Sequence, residues 1–138
     1  MNCKRVFWAG TVIFVYTFVY EFVMHSFVLS GMYADYQHLL RQQDQSSVWY
    51  VLVMLLGFLL MSFGFSYIFA KGHENKGMVE GVRFGLLIGV AFGVANALIE
   101  FSVFPIPNSW IWAWVAGYLI QWIIAGLIAA AIYEPHRA

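Results

Sequence analysis

Apolar residues run almost unbroken along four stretches of the chain, about residues 6–30, 48–70, 81–104 and 109–133, and polar residues gather in the gaps. A bilayer core about 30 Å thick is crossed by a helix of about 20 apolar residues, so each stretch is long enough. The pattern predicts an all-α polytopic membrane protein: four transmembrane helices in an antiparallel bundle, one domain over residues 1–138, with residues 31–47 as an outer loop. In that loop Met32, Tyr33, Tyr36, Leu39 and Leu40 recur at helical spacing, which predicts a short helix on the membrane surface, followed by a polar turn at Gln42–Gln45. Lys71–Lys76 is a second polar turn. Phe104-Pro-Ile-Pro-Asn108 is a rigid extended turn, because proline sets φ and removes a backbone donor, so the last two spans form a tight hairpin.

Every fourth residue of the third span is small: Gly77, Gly81, Gly85, Gly89, Gly93 and Ala97. In lipid such a glycine-zipper pattern lets helix backbones approach closely, and packing rather than water exclusion drives association there. A soluble helix would lose roughly 1 kcal/mol for each interior Gly relative to Ala. The fourth span carries a similar row, Ala113, Gly117, Gln121, Ala125 and Ala129. A spacing of four drifts about 40° per step against a 3.6-residue turn, so the long stripe wraps around its helix. The expectation is that the fourth span covers Gly89–Ala97 and that Gly77–Gly85 faces another helix or another subunit. The plain alternative is that Gly and Ala are simply common in membrane spans.

Polar side chains inside the spans are few: Glu21, His25, Asn96, Glu100 and Gln121. Ionisable groups at such depths are costly and point at protein or water. At 1.5 Å per residue, Glu21 and Asn96 both lie about 12–14 Å below the outer surface, with His25 and Glu100 about 6–8 Å below it. Glu21 with His25 and Asn96 with Glu100 are i,i+4 pairs, each sharing a helix face. The match predicts a two-tier polar ladder between neighbouring first and third spans, its lower tier reached by Gln121. Such a ladder is a hydrogen-bond network that fixes helix register, or a site for protons, a metal or a pigment.

Composition narrows the class. The chain is 62% hydrophobic and 10% charged, with a mean hydropathy of +0.75, whereas soluble domains average about 25% charged residues. Lys4, Arg5, Lys71, Lys76, Arg83 and Arg137 flank one side and only Arg41 the other, which by the positive-inside rule places both termini in the cytoplasm. Trp8 marks the inner interface, and Trp49, Trp110, Trp112 and Trp114 the outer one. The first apolar run is too long for a secretory signal, so it reads as an uncleaved helix. A lone Cys3 allows neither an internal disulfide nor a cysteine metal cluster. No second histidine lies within a span, which argues against bis-histidine haem; His38, His73 and His136 read as solvated. The expectation is no metal and no cofactor. Zero formal charge without a basic run makes nucleic acid an implausible partner.

Glu80-Gly-Val-Arg-Phe-Gly-Leu-Leu-Ile-Gly89, then Phe104-Pro-Ile-Pro107, then a small-residue helix ending in Ile132-Tyr-Glu-Pro135, resemble stretches of a loose group of small uncharacterised bacterial four-helix integral membrane proteins. The resemblance covers about the last sixty residues and implies topology, with no activity to carry over. The small multidrug-resistance transporters are similar in outline, having four short spans and a membrane-embedded Glu in the first. This chain departs from them in its long outer loop, His25 and Glu100. The expected function is a small structural or accessory multi-pass protein of the cell inner (plasma) membrane, not an enzyme: a packing or assembly subunit in a homo-oligomer or larger membrane complex, touching lipid and a protein partner or a second copy through its small-residue faces. The alternative is a small proton-linked transporter or channel using Glu21, His25 and Glu100.

Overall fold

The computed structural model describes residues 2–39 and 48–133. Every regular element among them is helical. Four helices are long and apolar enough to cross a membrane: α1 Cys3–Val28, α2 Val48–Gly72, α3 Met78–Val103 and α4 Asn108–Tyr133. Asn2 caps α1, its side chain accepting from the N–H groups of Lys4 and Arg5, which satisfies donors that the first helical turn leaves without partners. α3 stops at Phe104, whose extended backbone is what the following Pro105 imposes. The N–H of Asn2 donates to the Tyr133 hydroxyl at 3.2 Å, and Arg5 Nη1 donates to the Tyr133 carbonyl at 2.7 Å. The two ends of the described chain thus meet at one end of the molecule, the terminal end; the loop end is opposite.

α4 is the most buried of the four helices. Ile13 of α1, Phe65 and Phe69 of α2, and Trp122, Ala125, Ala129, Ala130 and Tyr133 of α4 form the main core. α1 is held to α2 by buried hydroxyls: Ser66 Oγ donates to the Val6 carbonyl at 2.8 Å, and Thr17 Oγ1 shares a hydrogen with Ser62 Oγ at 3.3 Å. It is held to α4 by two phenols, Tyr20 donating to the Gly117 carbonyl at 2.8 Å and Tyr16 to the Gln121 carbonyl at 3.3 Å.

Contact between α3 and α4 is backbone to backbone. A Cβ on Gly81 would collide with the carbonyl of Gly126, one on Gly85 with that of Trp122, and one on Gly126 with that of Gly81. Further along, a Cβ on Gly93 would lie 2.8 Å from Tyr118 Cβ, while one on Gly89 would lie 3.3 Å from Trp122 Cβ. α4 therefore covers the stripe from Gly81 to Gly93, and the expectation that Gly81 and Gly85 face another helix or subunit is corrected. A π-helical stretch at Gly89–Val94 supplies a physical reason. Its i→i+5 bonding puts more residues in each turn, so a spacing of four falls behind there and offsets the drift accumulated in the α-helical part. Gly77 leaves the stripe altogether: it is the N-cap of α3 at φ 69°, a conformation that favours glycine.

The row on α4 that meets α3 is Tyr118, Trp122, Gly126 and Ala130, one residue beyond the row read from the sequence. The backbone carbonyls of Gly117 and Gln121 accept from the tyrosines of α1 instead. Ala97, Ala125 and Ala129 are fully buried, and Ala113 packs against a second cluster. That cluster, Leu29, Tyr33 and Trp110, lies at the loop end. There the chain makes one helical turn, Ser30–Tyr33, then a tighter stretch, Ala34–Leu39, broken at Tyr36. Trp110 is 2% exposed and donates to the Met32 carbonyl at 3.2 Å, so it anchors the loop rather than facing an interface. Trp8, Trp49 and Trp112 are exposed. Leu40, Arg41, Gln42–Gln45, His136 and Arg137 lie outside the described residues.

Candidate functional site

α2 meets α3 near the terminal end, where Phe84 packs edge-on against Phe65 and Phe69. Beyond Phe84 a cavity of about 590 Å³ lies between α2 and α3. Its walls are apolar: Phe58, Met61, Gly64 and Ile68 from α2, with Ile88 and Phe92 from α3. Trp122 and Tyr118 of α4 form its back. Leu60, Ile68 and Phe92 are also strongly exposed, so the mouth opens sideways between α2 and α3, among exposed apolar side chains of two helices long and apolar enough to cross a membrane. Gly64 lines the cavity with nothing within 4 Å of a Cβ placed on it.

Three polar residues reach this apolar chamber: Glu21, Asn96 and Gln121. They are the lower tier of the ladder read from the sequence. Gln121 is 1% exposed, and its Nε2 is buried without a hydrogen-bond partner among the described residues. A buried amide donor left unpaired costs about 1–3 kcal/mol, so such a group calls for an explanation. Asn96 Nδ2 donates to Glu100 Oε1 at 2.8 Å, leaving the Asn96 carbonyl oxygen as its acceptor.

Glu21 also closes a polar file from the loop end. Trp114 Nε1 donates to the Tyr33 hydroxyl at 2.9 Å, that hydroxyl lies 2.8 Å from His25 Nδ1, and His25 Nε2 lies 3.0 Å from Glu21 Oε2. The indole can only donate. With the phenol hydrogen directed to Nδ1, His25 carries its own hydrogen on Nε2, facing the carboxylate; this tautomer is assigned from the network. The His25 and Tyr33 rings stack at 5.6 Å, which holds the file in place. Glu21 lines a second, small crevice together with His25, Trp114 and Gly117.

The ladder as a direct contact between α1 and α3 is corrected. α1 packs on α2 and α4, and α3 packs on α4. Each i,i+4 pair is satisfied within its own helix: Glu21 with His25, and Asn96 with Glu100. His25 and Glu100, the upper tier, are not brought together. Equal height places Glu21 and Asn96 at one level within reach of Gln121; a cavity, rather than a contact, unites the three.

A second polar cluster was missed. Glu80, 9% exposed, accepts from His73 Nδ1 at 3.1 Å and from the Glu74 N–H at 2.7 Å through one oxygen, and from the Lys76 N–H at 2.9 Å through the other. His73 is wedged against Phe69 and Tyr133, so its solvated reading is corrected. The signal was present in the sequence: Glu80 stands three residues after the Gly77 N-cap, where a capping acid turns back onto preceding N–H groups. His38 is exposed, as expected. Among the described residues no three His, Cys, Asp or Glu side chains are grouped to hold a metal.

No family model, no curated protein and no solved structure matches the chain.

Proposed function

We propose that the protein is a small, non-enzymatic integral membrane protein of accessory type, whose working element is the lateral cavity between α2 and α3. It takes up a guest molecule dissolved in the bilayer. The observation that carries this reading is the cavity itself: within the usual size range of ligand sites, apolar-walled, open sideways, with a few convergent polar groups at its back. In this reading the chain sits in the plasma membrane as an antiparallel four-helix bundle with both termini cytoplasmic. Supporting the antiparallel arrangement, Val6 meets Ser66 while Phe18 meets Phe58 further along. Supporting the orientation, Lys4, Arg5, Lys71, Lys76 and Arg83 all fall toward the terminal end. A protein partner or second copy has less surface to use than the small-residue stripe suggested, since α4 occupies Gly81–Gly93.

The test is Gly64→Leu. Open space around Gly64 and the higher helix propensity of leucine let the side chain grow into the cavity without straining the backbone. The expected outcome is unchanged or higher thermal stability, together with loss of labelling at Met61 and Phe92 by a photoreactive long-chain alcohol in nanodiscs. Equal labelling of parent and variant at those residues counts against the cavity as a guest site.

One observation favours a second reading, proton-linked transport. From the Tyr33 hydroxyl through His25 to Glu21 the file can both accept and donate, and it runs from the loop end to the cavity, the arrangement a proton path needs. A pH-driven solute flux in proteoliposomes that Glu21→Gln abolishes, with assembly intact, establishes it. Absence of any such flux in the parent chain removes it.

A further inference from the structure

The polar groups at the back of the cavity are specific about what they accept. This argument rests on the guest-binding reading above and concerns the chemistry of the guest's head.

Gln121 supplies the first constraint. Its Nε2 has two hydrogens and no acceptor, in a residue that is 1% exposed and lines the chamber. The Nε2 atom is itself enclosed, and the terminal torsion of a glutamine is broad, so rotation of the amide is what presents that donor to a guest. The guest must therefore present an acceptor. Glu21 supplies the second constraint. Its carboxylate lines the same chamber and can only accept when ionised, as can the Asn96 carbonyl oxygen. An anionic head would face like charge in a low-dielectric setting. An ammonium head has three donors and no acceptor; it can pair with the Glu21, Asn96 and Gln121 oxygens but leaves Gln121 Nε2 without an acceptor. The walls supply the third constraint: Met61, Gly64 and Phe92 are apolar, and the mouth opens between α2 and α3 toward lipid, so a tail leaves sideways.

We infer that the cavity binds a single-tailed amphiphile with a compact, uncharged oxygen head, a hydroxyl or carbonyl group. Its oxygen accepts from Gln121 Nε2, and a hydroxyl donates in turn to Glu21 or Asn96. Its apolar chain lies along Met61 and Phe92. Gln121 is the recognition residue, and the bilayer supplies the ligand directly to the mouth.

Two photoreactive probes with identical tails test this in nanodiscs, one ending in a primary alcohol and the other in a methyl group. A diazirine phosphatidylcholine and a diazirine alkylammonium serve as further probes. In the parent chain the alcohol is expected to label Met61 and Phe92 about tenfold more than the alkane, the discrimination expected when a buried donor is satisfied or left unpaired. Gln121→Leu, similar in size, is expected to bring the two probes level by losing the alcohol's advantage while keeping the alkane labelling. Equal labelling by alcohol and alkane in the parent overturns the head assignment but leaves the guest-binding reading standing. Preferred labelling by the phospholipid or the ammonium probe, or inter-chain cross-links at Met61 and Phe92, also overturns it. If no probe labels those residues above the exposed Leu98 and Ile99 of α3, which do not line the cavity, both readings fall together.

Discussion

Replacing Gly85 with alanine is expected to cost about 2–3 kcal/mol of unfolding free energy in mixed micelles, the range for overpacking a tight contact. The added methyl would sit against the carbonyl of Trp122, with Ile123 Cα close behind. Neither neighbour is a flexible tip that swings aside, so the two helices must separate along their length. That separation also weakens the contacts at Gly81 and Gly126, where each glycine faces the other's carbonyl. Gly126→Ala is accordingly expected to be as severe, and combining it with Gly81→Ala to cost less than the sum, because the first substitution already opens the gap needed by the second. Gly57 is the control. A Cβ there meets nothing within 4 Å, and alanine is the better helix former, so Gly57→Ala should be neutral or slightly stabilising. Equal effects at positions 57 and 85 would remove the backbone contact from the account of this fold.

Truncation of Glu80 to alanine is expected to cost about 2–4 kcal/mol, measured by equilibrium unfolding under the same conditions. One carboxylate closes the whole α2–α3 turn by accepting from His73, Glu74 and Lys76. Without it, two backbone N–H groups and a largely buried imidazole lose their partner together. Glu80→Gln keeps one acceptor oxygen and should fall between the parent and the alanine variant. Glu74 forms an ion pair with Lys76, but both side chains are more than half exposed. Surface pairs of that kind contribute little, so Glu74→Ala should leave the unfolding free energy nearly unchanged. The contrast between the two glutamates isolates burial and hydrogen-bond count from charge as such. It also bears on the cavity, since the turn and the Phe84 contacts set how far α2 and α3 stand apart.

Four membrane-length helices were legible in the sequence because about 25 consecutive apolar residues leave little else to form. Depth was legible too. A fixed rise per residue places Glu21 and Asn96 at one level, with Gln121 at about 18 Å, somewhat deeper, and the three line one cavity. Azimuth was not legible, since height along a helix says nothing about which neighbour a face meets. The ladder therefore failed as a contact between α1 and α3. The α4 register failed for a related reason. Ala125, Gly126, Ala129 and Ala130 are all small, so two adjacent rows were equally open to close approach, and the bulky Trp122 in one of them hid the row that is used. The π-helical stretch at Gly89–Val94 has no size or polarity signature, yet it decides that one neighbour covers the stripe. Trp110 was assigned to an interface by residue type, whereas Tyr33 and Leu29 bury it. Glu80 could have been found from its capping position, and attention to intramembrane charges passed over it.

The central claim is that a molecule from the bilayer occupies the cavity between α2 and α3. Native mass spectrometry of the chain released from gently extracted membranes tests it most directly. The account predicts a parent chain carrying one neutral, single-tailed adduct per copy and a Gly64→Leu variant, equally folded, carrying none. A bare parent chain, or the same adduct on both proteins, contradicts it.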